Sequence, residues 1–370
     1  MHQYRTLSSW AASLAVATLI GVSAASAESS VDAALATVAQ AKGPTDKWFG
    51  PTSSPPPVAD QSIVCIEYLA QDITAAKWCK GAVDGAAKLG WKSTTIDGQG
   101  TADGQRRALQ QAIALKPNGI VLASVDAKSN IGLLKEATDA GIKIVGIHSV
   151  AGPGPAPEVY LFTNITYDPV GQATLAADFA IADAKGKAQL IVVTDVTYAI
   201  ARAKADAAKA SILACPTCKM LDYVSTPVGS ANQNLPGLFT SWIQKYPDPF
   251  YVFSVTDAGF FDPGVPALRT GGVPPSGRIA LIGSDGSPAA YQRIRTGAYE
   301  IGTIPEPAEL QGWQAIDELN RAIQGAPASG FVQPLHIITK ENVGTDINAD
   351  GIYDPKVDYR SEYAKIWGRK

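Results

Sequence analysis

Residues Ser62 to Ala123 read SIVCIEYLAQDITAAKWCKGAVDGAAKLGWKSTTIDGQGTADGQRRALQQAIALKPNGIVLA. Ile63–Glu67 is an apolar run too short to be anything but a buried strand, and Ala75–Leu89 then shows helical spacing. Ser93–Ile96 is a strand, Asp103–Leu115 a helix, and Gly119–Ala123 a strand again. Strands alternating with helices predict a parallel sheet covered by helices on both faces.

The rhythm continues outward from this stretch. Ile131–Ala140 reads as a helix and Lys143–Ile147 as a strand. A second half repeats the set with Val159–Phe162, the helix Pro169–Ala184, the strand Gln189–Val193 and the helix Ala199–Leu213. Met220–Val224, Phe250–Val255 and Arg278–Ile282 supply further strands, with helices at Leu235–Tyr246 and Pro288–Thr296. Pro307–Gln324 reads as a long amphipathic helix opened by a proline in its first turn. Two such units in tandem leave a cleft between them, and ligands bind such sheets outside the carboxyl ends of the strands.

Toward the N-terminus the composition breaks. Residues 28–61 begin Ala-rich and end in Gly43-Pro44, Gly50-Pro51 and Pro55-Pro56-Pro57, a proline density that opposes regular structure. An extension lying on or beside the first lobe is expected. Residues 1–27 combine a weakly cationic start at His2–Arg5, an apolar run and Ala25-Ser26-Ala27, the order of a secretory signal peptide cut before Glu28. No later stretch has the roughly 18 uninterrupted apolar residues that a membrane span needs. Localisation in the periplasm follows.

Among 370 residues, 31 Lys and Arg stand against 34 Asp and Glu. The basic residues are scattered and form no stripe that would neutralise a phosphate backbone, which disfavours nucleic acid. Cys65, Cys79, Cys215 and Cys218 offer a single C-x-x-C pair where zinc wants four converging ligands. In an oxidising compartment they read as disulfides. Cys215 and Cys218 suit a tight local loop, with a redox-active pair as the alternative. Cys65 and Cys79 either pair or stand as two buried thiols.

Gly81-Ala82 through Gly90-Trp91, the run Ile113–Leu122, the phrase Ala140–Gly146, Gly283-Ser284-Asp285-Gly286-Ser287-Pro288 and Leu310–Gln314 together resemble type I periplasmic solute-binding proteins of sugar importers. The ribose-binding type is the nearest pattern, and the resemblance covers nearly all of Ser62–Val343. It implies two doubly wound parallel-sheet α/β lobes joined by three hinge crossovers, near Thr163–Tyr167, Ile304–Pro307 and Ala328–Gln333. The N-terminal lobe is then 62–162 plus 307–327, and the C-terminal lobe 163–306 plus 328–370. It further implies a membrane permease of an ABC importer as partner, a monomeric state, no required cofactor and no catalytic residues. Pro305 and Pro307 suit a hinge, since they fix φ where the chain leaves one sheet for the other.

A cleft for a hydroxyl-rich molecule needs charged or amide groups and apolar walls. Strand ends supply Tyr68, Gln71, Asp72, Thr74, Asp126, His148, Asn164, Tyr167, Tyr198, Arg202, Asp257, Asp285 and Glu306. By resemblance Asp72, Arg202, Asp257 and Asp285 lie nearest to family positions that hold ligand hydroxyls. Asp72, Asp126 and Asp285 are equally placed to cap helices, Arg202 to be a solvated helix residue, and Tyr68 and Tyr167 to be wall packing. The aromatic pair common after the first strand in sugar binders is replaced by Ile73-Thr74-Ala75, and an expected hinge amide by Pro305. Trp78, Phe260, Phe261 and Trp313 are candidates to rebuild a wall.

Asp346, Asn348, Asp350, Ile352 and Asp354 reproduce the first part of a calcium loop, although Val357 stands where a glutamate belongs. Structural calcium and a plain surface turn are both open. No nucleophile-elbow, zinc-protease or phosphate-loop motif is present, which favours binding over catalysis. The expected ligand is a sugar, polyol or sugar-like molecule captured by hinge closure. A small acid or aromatic compound held by Arg202 and His148 is the alternative, as is a subunit that presents its ligand to a chemoreceptor or sensor.

Overall fold

The structure, a computed structural model, describes residues 31–369. The expected signal peptide at 1–27 lies outside the described residues. Among the described residues no helix is long and apolar enough to cross a membrane.

A helical stretch over 31–41, α1, opens the described chain. The first sheet follows with β1 (Ser62–Glu67), α2 (Ile73–Leu89), β2 (Lys92–Asp97), α3 (Ala102–Ala114), β3 (Gly119–Ala123), α4 (Ile131–Asp139), β4 (Lys143–Ile147), β5 (Gly154–Ala156) and β6 (Leu161–Ile165). Its strand order is β2-β1-β3-β4-β6-β5. The second sheet is built from α5 (Pro169–Asp183), β7 (Gln189–Thr194), α6 (Ala199–Ala214), β8 (Lys219–Ser225), α7 (Ala231–Lys245), β9 (Phe250–Ser254), α8 (Asp262–Thr270), β10 (Ile279–Asp285), α9 (Pro288–Thr296) and β11 (Glu300–Pro305). α10 (Ala308–Ile323), β12 (Ile338–Thr339) and α11 (Tyr359–Ile366) complete the chain, and the second order is β12-β11-β10-β9-β7-β8. Among the strands of the two described sheets, only the edge strands β5 and β12 pair antiparallel. The chain leaves the first sheet after β6, returns after β11 to lay α10 on it, and crosses again to β12.

Burial explains why the pattern was readable. Every residue of β3 is buried, and all of β1 except Ser62, as central parallel strands require. α2 begins where the Asp72 carboxylate accepts from the N–H groups of Thr74 and Ala75, and it ends at Gly90, whose φ of 77° closes the helix. α2 and α10 pack backbone to backbone. A Cβ on Gly81 would stand 2.2 Å from the Glu309 carbonyl oxygen, and one on Gly312 2.3 Å from that of Trp78.

Several elements depart from expectation. Pro157–Val159 is a short 3-10 turn, so the strand expected at Val159–Phe162 starts at Leu161 and belongs to the first sheet. Pro263, Gly264 and Pro266 disguise α8, which buries Val265 and Leu268. The end of the tail joins the first lobe rather than the second. Tyr359, Tyr363 and Trp367 pack beside Trp313, and the Trp367 ring stacks on that of Trp313 at 5.6 Å. The N-terminal extension touches both lobes. α1 sinks Ala34, Val38 and Ala41 into the second core, whereas the carbonyls of Pro55 and Pro56 accept from Asn320 and Gln324 on and just beyond α10.

Both cysteine pairs are disulfides. Cys65–Cys79 ties β1 to α2, and Cys215–Cys218 closes the turn between α6 and β8.

Candidate ligand-binding site

The carboxyl ends of the strands in the two sheets face one another. Ser124 after β3, His148 after β4 and Asp285 at the end of β10 hold φ of 60°, 55° and 72°. Asp285 is the focus. Its Oδ1 accepts from the Tyr167 hydroxyl at 2.6 Å, from Lys204 Nζ at 2.6 Å and from Gln172 Nε2 at 3.3 Å. No donor among the described residues bonds Oδ2, and 26% of the side chain remains in water. Burial alone would raise the Asp285 pKa, but Lys204 and the Tyr167 hydroxyl outweigh it and hold the carboxyl below its ordinary range.

The first lobe contributes His148. Its Nε2 stands 2.6 Å from Glu306 Oε2 across the hinge, its face stacks on Trp78 at 5.2 Å, and its ring meets Tyr167 edge-on at 5.5 Å. Trp78 is itself fixed by donating Nε1–H to Gln311 Oε1 at 2.5 Å. Burial, then Asp285 and Glu306, push the Tyr167 phenol well above its usual pKa, so it stays a donor. Tyr68 likewise stays protonated, through burial and then Asp72, to which it donates at 2.6 Å. Near the hinge, Thr74 and Lys77 of the first lobe approach Gly286 and Ser287 of the second, leaving about 20 Å³ between them.

Asp285, Tyr167, His148 and Glu306 come together, with Tyr68 and Asp72 at the first-lobe wall. Tyr198 is exposed at the start of α6, where partial burial, then Asp195 and then Asp126 across the cleft, raise its phenol pKa. Asp126 caps a short 3-10 turn through Ser129 N, Gln71 is exposed just before α2, and Thr74 faces Gly286 and Ser287. Three residues stand elsewhere. Asn164 uses its whole amide on Ser149 N and on the carbonyls of Val150 and Gly152, pinning the loop after β4. Arg202 is exposed and donates to the Val196 carbonyl. Asp257 is fully buried behind β10, bonded to Thr303 and to Gly286 N, and burial with Glu300 beside it keeps its carboxyl protonated far above the usual range. Phe260, Phe261, Trp313 and Trp78 all lie in the cores, and of the four Trp78 touches the site, through the His148 ring stacked on it.

Lys204 and Gln172 escaped the sequence reading, though both leave a signal. Lys204 sits within the buried stripe Ala201, Ala205, Ala208 and Ile212 of α6, where a charge demands a partner. Gln172 interrupts the apolar face of α5 in the same way.

The residues of the expected calcium loop are engaged in ion pairs and hydrogen bonds. Asp346 contacts His336 at 3.0 Å and Lys356 at 2.9 Å, Asp350 contacts Lys77 at 2.9 Å, and Asp354 contacts Arg360 at 3.2 Å. Asn348 Oδ1 accepts from Ile352 N. No group of three or more His, Cys, Asp or Glu converges as a metal site among the described residues.

Two lobes with facing strand ends, a hinge at the crossovers and a polar cluster between them have the build of a solute-binding protein. The chain belongs to the family described as periplasmic binding protein domain, which matches residues 65–327. No protein of curated function matches it in sequence. Among solved structures it is similar to a sugar ABC transporter protein of Yersinia enterocolitica (19% identity, 86% of this chain and 99% of the other, TM-score 0.69). It is also similar to two ABC transporter solute-binding proteins of Agrobacterium vitis. One holds α-D-tagatopyranose (19% identity, 80% and 99%, TM-score 0.69). The other holds allitol (20% identity, 77% and 97%, TM-score 0.65).

Proposed function

We propose that this chain is the extracytoplasmic substrate-binding component of an ABC importer, that it captures a small sugar or polyol between its lobes by hinge closure, and that it delivers the closed form to a membrane permease. The observation that carries the ligand class is the free Oδ2 of Asp285, set beside an Oδ1 that three protein donors already hold. An ionised, immobilised carboxylate with one open oxygen suits a ligand hydroxyl, since a charge-assisted bond is about twice as strong as a neutral one. An anionic ligand is disfavoured because Arg202 points to solvent and Lys204 is already paired with Asp285. The sugar- and polyol-holding proteins of like fold support the same reading.

We also propose that the protein is exported through residues 1–27 and works as a monomer. The test of the ligand class is calorimetric titration with allitol, D-tagatose, L-arabinose and benzoate, joined to small-angle scattering. Binding of a polyol or sugar with a fall in radius of gyration is expected. Binding of benzoate alone, or an unchanged radius at saturation, would overturn the reading.

A further inference from the structure

The hairpin that carries the calcium-like residues lies where the lobes meet. Its base belongs to the second lobe. Ile347 bridges Tyr353 antiparallel, and Tyr353 packs with Tyr291 and Ile294 of α9, Ile338 of β12 and Val343. The Tyr353 ring is also stacked on that of His336 at 5.2 Å. Local bonds close the tip. Asn348 N–H donates to the Ile352 carbonyl at 2.9 Å, Asn348 Oδ1 accepts from Ile352 N at 3.2 Å, and Gly351 makes the turn with a φ of 74°. After Asp354 the chain passes to α11 on the first lobe, a crossing beyond the three expected.

The tip reaches the first lobe. Asp350 Oδ2 stands 2.9 Å from Lys77 Nζ on α2, and the same ammonium lies 3.2 Å from Glu309 Oε1 on α10. Glu309 is buried, and Arg360 holds its other oxygen at 2.7 Å. Lys77 is thereby anchored on its own lobe, and an ammonium with three donors has one to spare for the hairpin. Lys77 also lines the narrow gap between the lobes, where Thr74 on one side meets Ser287, Ile352 and Tyr353 on the other. A hairpin seated on the second lobe and paired with a helix of the first makes that contact only while the lobes are together. Such a contact favours the closed form before any ligand binds. The Asp350 side chain is 62% exposed, so salt can screen the attraction.

We infer that the hairpin 346–353 is an electrostatic latch on the hinge: through Asp350 and Lys77 it holds the lobes together and makes the balance of open and closed forms depend on ionic strength, a role that rests on the hinge closure proposed above.

The test needs no ligand. Donor and acceptor dyes on Glu136→Cys in α4 and Ala210→Cys in α6, exposed positions on the two lobes, report lobe separation in the full chain by single-molecule energy transfer. The closed-to-open ratio should fall about two- to fivefold between about 0.02 M and about 0.5 M sodium chloride, the range expected of one exposed ion pair. Asp350→Asn and Lys77→Met should each show the lower ratio already at low salt and lose most of the salt dependence. Arg106→Met, which removes an ion pair within α3, should behave as wild type. Thr74→Trp, a wedge in the narrow gap, separates the two ways of failing. If the wedge lowers energy transfer while salt and Asp350→Asn leave the ratio unchanged, the lobes move and the latch is refuted. If the wedge, salt and both latch variants all leave energy transfer unchanged, the lobes do not part, and hinge closure is overturned together with the latch. The salt titration keeps Asp350 and Lys77 in place, so an unchanged ratio across it counts against the latch even where a variant does not fold.

Discussion

Replacing Lys204 by Met keeps the volume of the buried stem and removes the cation that Asp285 leans on. Nζ gives up the 2.6 Å contact to Asp285 Oδ1 and a 3.2 Å bond to the Val255 carbonyl. Breaking a buried pair by deleting one partner costs about 3–5 kcal/mol. Asp285 keeps part of its side chain in water and retains Tyr167 and Gln172 as donors, so solvent screening reduces the expected loss to about 2 kcal/mol. The sign with pH follows from the lowered Asp285 carboxyl. In the wild type the pair contributes stability that is present above the ordinary aspartate pKa and lost as pH falls through the lowered folded value. Without Lys204, burial dominates and the carboxyl takes up a proton more readily, so the variant's deficit is largest at pH 7 and shrinks to less than about 1 kcal/mol near pH 4. Urea unfolding at both pH values reads this, and adding Asp285→Asn to Lys204→Met should recover part of the loss at pH 7. A deficit that is the same at pH 7 and near pH 4, and that Asp285→Asn leaves unchanged, would show that Lys204 matters through packing alone.

Gly312→Ala should destabilise by about 3 kcal/mol or prevent folding, because its Cβ meets the backbone of α2 at Trp78 and Ala82, where nothing can swing aside; a melting temperature within a degree or two of wild type would contradict this. Asp257→Asn tests the buried acid. A raised carboxyl stabilises the fold at low pH and loses that contribution as pH rises through its folded value, so the variant should lose less stability than wild type between pH 5 and pH 9, read by thermal melting at each pH. Adding calcium or a chelator should leave the melting temperature unchanged, since Asp346, Asp350 and Asp354 are already paired with cations; a rise of several degrees with calcium would show that the loop rearranges to bind it. Mass spectrometry of the exported protein should give an N-terminus at Glu28.

Much of the fold was legible because burial on both faces of a parallel sheet writes short continuous apolar runs, as in β1 and β3, and because the helices between them keep their apolar spacing. The misses share a cause. Local chemistry says turn in Asp262-Pro263-Gly264-Val265-Pro266, yet Val265 and Leu268 are pulled into the second core and the helix forms. Tyr359, Tyr363 and Trp367 lie in a polar tail, and nothing local shows that Trp313, some fifty residues earlier, waits to stack on them. Contacts of that range leave no periodicity to read.

The candidate site was half legible, and the division has a physical basis. Residues at strand ends are marked by topology, so Asp285, Tyr167 and His148 could be named before their partners were known. Which carboxylate can meet a ligand depends on what lies behind it, and here two strand ends of the second lobe use opposite devices. Asp285 keeps its charge because Lys204 neutralises it from inside α6, whereas the cation near Asp257, Arg293, is paired with Glu300 and Asp262, and Asp257 stays protonated among Thr303, Glu300 and Gly286 N. A Cβ on Gly283 would fall 1.5 Å from Asp257 Oδ1, so that acid is sealed in by the β10 backbone itself. Of two aspartates that look alike in sequence, one is therefore a supporting strut and the other an open acceptor. The residue that separates them is a lysine on a buried helix face.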